Sequence, residues 1–177
     1  MQKISPFLWF NNEAEAAAKF YVSVFKKGSN KDTKIIKIAR YGDAGPGPKG
    51  SVMTVAFRLA GMELTALNGG PHFKFTPAIS LVVSCATQKE IDTLWQKLSS
   101  VPAAEQCGWL VDKYGLSWQI VPAFLGEVMA SKDAAKANRV MAALLPMKKL
   151  DLATLKQAAA VAISRRSSER RRRADRL

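Results

Sequence analysis

The fold is decided by the stretch Gln106-Cys107-Gly108-Trp109-Leu110-Val111-Asp112-Lys113-Tyr114-Gly115-Leu116-Ser117-Trp118-Gln119-Ile120-Val121-Pro122. Aromatic and β-branched residues flank the turn-forming segment 112–115, which predicts two strands joined by a tight turn. Side chains alternate across a strand, so Trp118 and Ile120 share one face while Gln119 lies on the other. A polar side chain at mid-strand indicates a lined cavity, and an exposed sheet face is the alternative.

A strand-helix-strand pattern occurs twice around this hairpin. The first copy has a strand, an amphipathic helix and three further strand-like segments, at residues 4–10, 14–25, 34–41, 51–59 and 63–67. The second copy has a strand, an amphipathic helix and the hairpin, at residues 79–85, 87–98 and 106–122. Segment 101–106 would fit a further, degenerate strand. The pattern predicts two related modules of mixed α and β structure.

Both helices have candidate starting signals. Asn12 with Glu15, and Thr87 with Glu90, have the spacing of a capping box, in which a polar side chain accepts from backbone N–H groups and a glutamate bonds back. After residue 122 the chain becomes helical in character, with candidate helices at 123–130, 133–145 and 151–163, the last capped by Asp151.

These patterns predict a division of the chain into three parts. Residues 1–122 form the paired modules, at about 4–70 and 79–122, and residues 123–163 form a helical extension. Residues 164–177 form a disordered tail, because they are rich in arginine and almost without apolar side chains.

Composition narrows the class of protein. The chain has 177 residues, 48% of them hydrophobic, which suffices for a sizeable core. It has no apolar run of about 18 residues, so no membrane span is expected. The first residues show neither an apolar segment nor a cleavage signature, and this predicts a cytoplasmic protein. Cys85 and Cys107 are too few for a disulfide framework.

The net charge of +13 is unevenly distributed. Residues 163–177 contain seven arginines against Glu169 and Asp175, a net +5, which leaves +8 on the rest of the chain. This excess of positive charge favours the binding of anionic small molecules and, at low salt, the non-specific association of nucleic acid with the tail.

Several side chains are candidates for chemistry or ligand binding. His72 is a candidate general base, with a structural hydrogen bond as the alternative, and Cys107 is a candidate nucleophile, with a structural thiol as the alternative. Trp9, Trp109 and Trp118 could stack on a flat ligand or lie in the core. Asn68, Ser80 and Gln119 could orient a ligand by hydrogen bonds. The glycine- and proline-rich segment 42–50 is a mobile loop or a lid.

Five segments together resemble the PhnB-like family, which carries the name 3-demethylubiquinone-9 3-methyltransferase and belongs to the vicinal oxygen chelate superfamily. The segments are Phe7-Leu8-Trp9-Phe10, Phe20-Tyr21, residues 45–54, residues 66–73 and the hairpin from Cys107 to Pro122. The resemblance implies an α+β fold in which two βαβββ modules form curved mixed sheets around a cavity, in a homodimer.

Metal-using members of the superfamily hold their ion with residues that the resemblance places at Pro6, Ser80, Gln119 and, less clearly, Glu63. Proline offers no donor, and serine and glutamine are weak ligands for zinc, iron or manganese. We therefore predict a cavity with no catalytic metal and no cofactor. No glycine-rich turn leads from a strand into a helix, so methyl transfer from a nucleotide cofactor is not expected either.

The sequence thus predicts a protein that binds a small aromatic or quinone-like molecule in a metal-free cavity. The predicted ligand contacts are Trp9, Asn68, Ser80, Trp109, Trp118 and Gln119. One alternative is a cofactor-independent enzyme that uses His72 or Cys107 on a hydrophobic substrate. Another is nucleic-acid association through the basic tail.

Overall fold

The chain forms two compact units of mixed α and β structure. The computed structural model describes residues 3–26 and 32–160. One unit comprises the described residues of Met1–Ile79 together with Lys113–Ser117, and the other comprises those of Ser80–Asp112 and Trp118–Leu177. In the described residues the strands are β1 Phe7–Phe10, β2 Lys34–Arg40, β3 Val52–Leu59, β4 Met62–Asn68, β5 Ser80–Cys85, β6 Trp109–Val111 and β7 Ser117–Pro122. The α-helices are α1 Ala14–Phe25, α2 Gln88–Leu98, α3 Phe124–Ala130, α4 Ala134–Leu144 and α5 Leu152–Ala160.

The first module is a four-stranded sheet with one face covered by α1. The strand order is β1-β4-β3-β2, in which β1 runs parallel to β4 and the other neighbours are antiparallel. Alternate residues of β3, such as Val55 and Phe57, are fully buried with Tyr21 of α1, and the Tyr21 and Phe57 rings are stacked. Burial of such side chains stabilises the module by about 1.5–3 kcal/mol each.

The predicted capping box at the start of α1 is wrong. Glu15 forms an ion pair with Lys19 at 2.6 Å, as expected one turn apart on a helix, and no side chain of the preceding loop caps α1. The cap comes instead from β4, where the Asn68 side-chain oxygen accepts from the Ala14 N–H at 2.8 Å. A contact across 54 positions of the chain has replaced the local one.

The second module has a three-stranded sheet in the order β5-β7-β6 and the helix α2. Its capping box is present, because the Thr87 hydroxyl accepts from the Glu90 N–H at 3.2 Å and the Glu90 carboxylate accepts from the Ala86 N–H at 2.9 Å. Where a degenerate strand would fit, the chain makes a 3₁₀ turn at Pro102–Ala104. Pro102 has no N–H to donate to a strand ladder.

The three C-terminal helices share a small core. Asp151 accepts from the Thr154 N–H at 2.7 Å, as predicted for a cap, and Asp133 caps α4 in the same way through Lys136. The buried members of the core are Leu125, Val128, Val140, Leu150 and Leu155. These helices therefore pack on one another through one apolar face each.

The predicted α+β class, with two modules followed by helices, is confirmed. The division at residues 122 and 163 stays a prediction, and the arginine-rich tail, 164–177, lies outside the described residues. Within 3–26 and 32–160, none of the helices has the length and apolar character that a membrane crossing requires.

Candidate functional site

Two of the predicted ligand-binding residues meet in the second unit. Gln119 on β7 donates from its side-chain nitrogen to the Ser80 hydroxyl on β5 at 2.9 Å, and both residues are half-buried. The resemblance had placed metal-ligand positions at these two residues, and the structure shows that they are adjacent. Their hydrogen bond uses one N–H of Gln119 and one lone pair of Ser80, and the Gln119 side-chain oxygen and the Ser80 O–H are not used in it.

Trp118 lies on the opposite face of β7 from Gln119 and is 2% exposed. Its indole N–H donates to the buried Asp112 carboxylate at 2.8 Å. The structure therefore does not support Trp118 as a ligand contact, because its ring is enclosed in the core and its polar atom is already bonded. Trp109 on β6 is half-buried.

Asn68 is also occupied by the fold. Its side-chain oxygen accepts from the Ala14 N–H at 2.8 Å, and its side-chain nitrogen donates to the Val52 carbonyl at 3.0 Å. Its backbone carbonyl accepts from the Tyr41 hydroxyl at 2.6 Å. This amide joins β4 to α1 and β3. It has a structural role; the residue also lines a cavity of the first unit, and that it orients a ligand by hydrogen bonds stays a prediction.

Trp9 lies at the edge of a cleft in the first unit. Its indole N–H donates to the Gly70 carbonyl at 2.8 Å, and its ring lies so close to Gly69 that a side chain there would overlap it. The Phe73 ring meets Trp9 edge to face, with 4.9 Å between ring centroids. The glycines after β4 thus allow the chain to turn tightly around one tryptophan face.

The cleft beside Trp9 has a volume of about 340 Å³ and is called the aromatic cleft below. Phe10 meets Phe75 at 5.2 Å and Tyr114 at 6.3 Å between ring centroids, both edge to face. The aromatic residues that line the cleft are Trp9, Phe10, Phe73, Phe75 and Tyr114. Edge-to-face contacts are a preferred arrangement of aromatic rings, so they hold these side chains in place around the cleft.

Charged side chains also line the aromatic cleft. They are Lys74, Lys113 and Glu13. The Lys113 ammonium lies 4.3 Å from the Phe20 ring centroid and 5.2 Å from that of Tyr114. In the part of the chain that the structure describes, neither lysine forms an ion pair.

A second cavity in the first unit, of about 580 Å³, lies beside the glycine- and proline-rich segment and is called the loop cavity below. The loop is folded against the Tyr41 ring, which Gly45 and Gly47 approach too closely for any side chain at either position. Other residues at the cavity are Asn11, Asn12, Glu15, Pro48 and His72. The segment therefore forms one wall of this cavity, and its role as a lid stays a prediction.

Glu15 supplies the charged group of the loop cavity. The hydrogen bond and positive charge of Lys19 hold the pKa of the Glu15 carboxyl below its ordinary value, and the more distant charge of Arg40 acts in the same direction. The carboxylate is therefore ionised at neutral pH. His72, the candidate general base, is exposed at the same cavity, so an imidazole and a carboxylate share one space.

Cys107 lies in the other unit. Its thiol donates to the Leu145 carbonyl at 3.3 Å and its N–H donates to the Met147 carbonyl at 2.7 Å. The backbone at Cys107 is left-handed, with φ of 53°, which costs energy for a residue with a side chain. These bonds hold the chain after α4 against the hairpin, so Cys107 has a structural role in the fold.

The four positions carried over from metal-using relatives do not fit a metal ion. Glu63 forms an ion pair with Arg58, its antiparallel partner on β3, and the Pro6 carbonyl accepts from the Thr65 N–H. Ser80 and Gln119 bond to each other. Across residues 3–26 and 32–160, no three His, Cys, Asp or Glu side chains form a group able to hold an ion. Proline has no side-chain donor, and serine and glutamine are weak ligands, so Glu63 alone among the four positions has a side chain typical of a catalytic metal site, and it is paired with Arg58.

Comparison with known proteins agrees with the architecture. The family described as 3-demethylubiquinone-9 3-methyltransferase matches residues 2–121. A PhnB protein of Bacillus cereus that carries the same family name is 41% identical, covers 69% of this chain and all of its own length, and has a TM-score of 0.57. A Pseudomonas aeruginosa protein is 17% identical over 69% of this chain and 98% of its own, with a TM-score of 0.51, and shows the fold alone. None of the curated proteins compared with the chain matches it.

The family match covers both modules, including nearly all of the hairpin that ends the second one. It also agrees with the motifs from which the resemblance was predicted, including Phe7–Phe10 and the segment around Trp118. The chain therefore belongs to the 3-demethylubiquinone-9 3-methyltransferase family, in its PhnB-like form.

Proposed function

We propose that this chain binds a small, flat aromatic or quinone-like molecule in the aromatic cleft, without a metal or other cofactor. The single observation that supports the proposal is the convergence of five aromatic side chains on one cleft of about 340 Å³. Ligand sites have volumes of about 300–1,000 Å³ and apolar walls with a few polar groups. The cleft is at the small end of that range, which suits one ring or two fused rings.

Exposure of Phe73 supports the same proposal. This side chain is 65% exposed, although its ring already contacts Trp9. A ring inserted beside it would remove apolar surface from water, and aromatic contacts add about 0.5–1.5 kcal/mol beyond the area buried. Phe73 is thus the wall of the cleft that a ligand would cover most.

Methyl transfer is not part of this proposal, despite the family name. Transfer from a nucleotide-type methyl donor commonly uses a doubly wound parallel sheet with a glycine-rich turn before a helix. In the described residues, the four-stranded sheet has one parallel pair, β1 with β4, and two antiparallel pairs. The glycines at 45 and 47 pack on Tyr41 and do not begin a helix.

The test is calorimetric titration with 2-naphthamide, a neutral two-ring probe. Phe73→Ser removes the exposed wall and should weaken binding about two- to tenfold, which is the ratio that 0.5–1.5 kcal/mol gives. Ile79→Ser is the matched control, because Ile79 is equally apolar and 75% exposed but does not line the cleft. Equal affinity in both variants, or no binding by the unchanged protein, would refute the proposal.

The loop cavity supports a second candidate function, a cofactor-independent enzyme. His72 and the ionised Glu15 line the same cavity, and an imidazole in such a cavity can take a proton from a bound substrate and return it. His72→Gln should then abolish turnover of a substrate and leave its binding in place. Cys107→Ala should leave turnover unchanged, since the Cys107 thiol is bonded to Leu145.

The proposal includes a homodimer, which the family resemblance implies, and a cytoplasmic location. Sedimentation equilibrium tests the homodimer, since a mass of one chain at micromolar concentration would exclude it.

Ser80, Trp109 and Gln119 lie in the other unit and stay predicted ligand contacts. Nucleic-acid association through the tail stays a prediction. If it is right, a chain that lacks residues 164–177 should no longer bind nucleic acid.

A further inference from the structure

We propose that the aromatic cleft selects anionic aromatic molecules, such as an aromatic carboxylate or phenolate, over neutral ones of the same shape. This inference rests on the proposed function, because it names the class of ligand for the same cleft. It is carried by the positions of Lys74 and Lys113, which line the cleft together with its rings.

Lys113 is held at the cleft by two aromatic rings. Its ammonium lies over Phe20 at 4.3 Å and near Tyr114 at 5.2 Å, and Tyr114 lines the cleft. A cation over a ring face is attracted by the electron density of that face, so the long side chain has a preferred position. The ring contacts leave the N–H groups of the ammonium able to donate to an anion.

Lys74 lies between two aromatic residues of the cleft, Phe73 and Phe75. Within the described residues no carboxylate forms an ion pair with Lys74 or Lys113. The cleft therefore has two cations whose charge is not neutralised by a contacting side chain. A ligand oxygen anion would provide that partner.

Glu13 also lines the cleft, and its negative charge opposes the binding of an anion. Its carboxylate accepts from the Asn12 N–H at 3.0 Å, and the residue occupies the cap position of α1. Peptide dipoles place a partial positive charge at this end of a helix, which offsets a carboxylate there. Two ammonium groups and a helix start outweigh one carboxylate, so the cleft keeps a positive balance.

The experiment compares 2-naphthoate with 2-naphthamide, which have the same rings and differ in charge. Each is titrated calorimetrically into the full chain at about 0.05 M and about 0.5 M salt, since exposed charges are screened at the higher concentration. The variants are Lys74→Met, Lys113→Met and Glu13→Gln. Lys156→Met is the matched control, because it removes one exposed lysine of α5, outside the cleft.

We expect naphthoate to bind more tightly than naphthamide at low salt. Each cleft lysine variant should weaken naphthoate binding about two- to fivefold, the effect of an exposed ion pair, and change naphthamide binding less than twofold. Glu13→Gln should strengthen naphthoate binding by a similar factor. Lys156→Met should change neither.

Equal binding of both probes, with no effect of the lysine variants, would overturn the inference and leave the proposed function intact. If neither probe binds the unchanged protein, the proposed function fails and the inference fails with it. An equal loss of naphthoate binding in Lys156→Met would also overturn it, because the effect would then come from the general positive charge of the chain.

Discussion

The cap that Asn68 provides to α1 allows the structure to be tested against the sequence pattern. Asn68→Ala removes the acceptor for the Ala14 N–H and the donor to the Val52 carbonyl. Loss of a cap costs about 0.5–2 kcal/mol. A buried group left without a partner costs about 1–3 kcal/mol, and Ala14 is fully buried, so water cannot easily replace the lost acceptor.

The cost of the lost cap and the cost of the unpaired Ala14 N–H partly describe the same lost bond, so they are not simply added. We expect a loss of about 2–4 kcal/mol in the free energy of unfolding. For a chain of this length each kcal/mol lowers the melting temperature by about 2–4 °C, so the shift should be about 5–15 °C. Asn68→Asp keeps an oxygen for Ala14 but sets a second acceptor against the Val52 carbonyl, so it should also be destabilising. Thermal unfolding followed by circular dichroism measures both shifts.

Asn12→Ala is the decisive control, since the sequence pattern places the cap at Asn12 and the structure does not. An exposed residue whose side chain does not cap the helix should change the stability by less than about 0.5 kcal/mol. Faster hydrogen exchange of the first amides of α1 in Asn68→Ala alone would locate the loss. If Asn12→Ala costs as much as Asn68→Ala, the assignment of the cap to β4 is refuted.

Two further outcomes follow from close packing and from one carboxylate. Gly69→Ala should lower the free energy of unfolding by about 1–3 kcal/mol, because the new methyl group would overlap Trp9. Gly126→Ala should raise it by about 0.5–1 kcal/mol, because the methyl group would enter open space on α3. Denaturant unfolding midpoints of both variants test these changes. The Thr154 hydrogen bonds hold the pKa of Asp151 below its ordinary value, so the stabilisation is present above about pH 4 and is lost as the pH falls through the folded pKa. The denaturant midpoint of the unchanged protein should therefore fall between about pH 5 and pH 3, and it should fall less steeply in Asp151→Asn. The same dependence of the midpoint on pH in both proteins would contradict this prediction.

Local patterns predicted those features in which the interacting residues are near in sequence. The cap of α2 by Thr87 and that of α5 by Asp151 are both present, because each needs only residues within one helical turn. The alternation of Trp118 and Gln119 across β7 is likewise observed, since it follows from strand geometry. The family was predictable for the same reason, from motifs contained in short segments.

The aromatic cleft illustrates what local patterns could not predict. Trp9, Phe73 and Tyr114 lie in three segments, and spacing along the chain could not predict that they line one cleft. Of the predicted ligand contacts, the cleft contains Trp9 alone. The alternation of rings and a lysine in Phe73-Lys74-Phe75 was the available signal, but a loop of that composition is compatible with many positions.

By itself, then, the sequence determined the α+β class, the repeated modules and two of the three predicted caps, because periodicity and neighbouring side chains are sufficient for these. Only the tertiary structure decided that Asn68 is committed to α1 and that Trp118 is committed to the core. It also decided that the open rings lie beside Lys74 and Lys113. The physical reason is that the partners of these groups are supplied by distant segments, and a polar or aromatic side chain is available to a ligand only when the fold has not already used it.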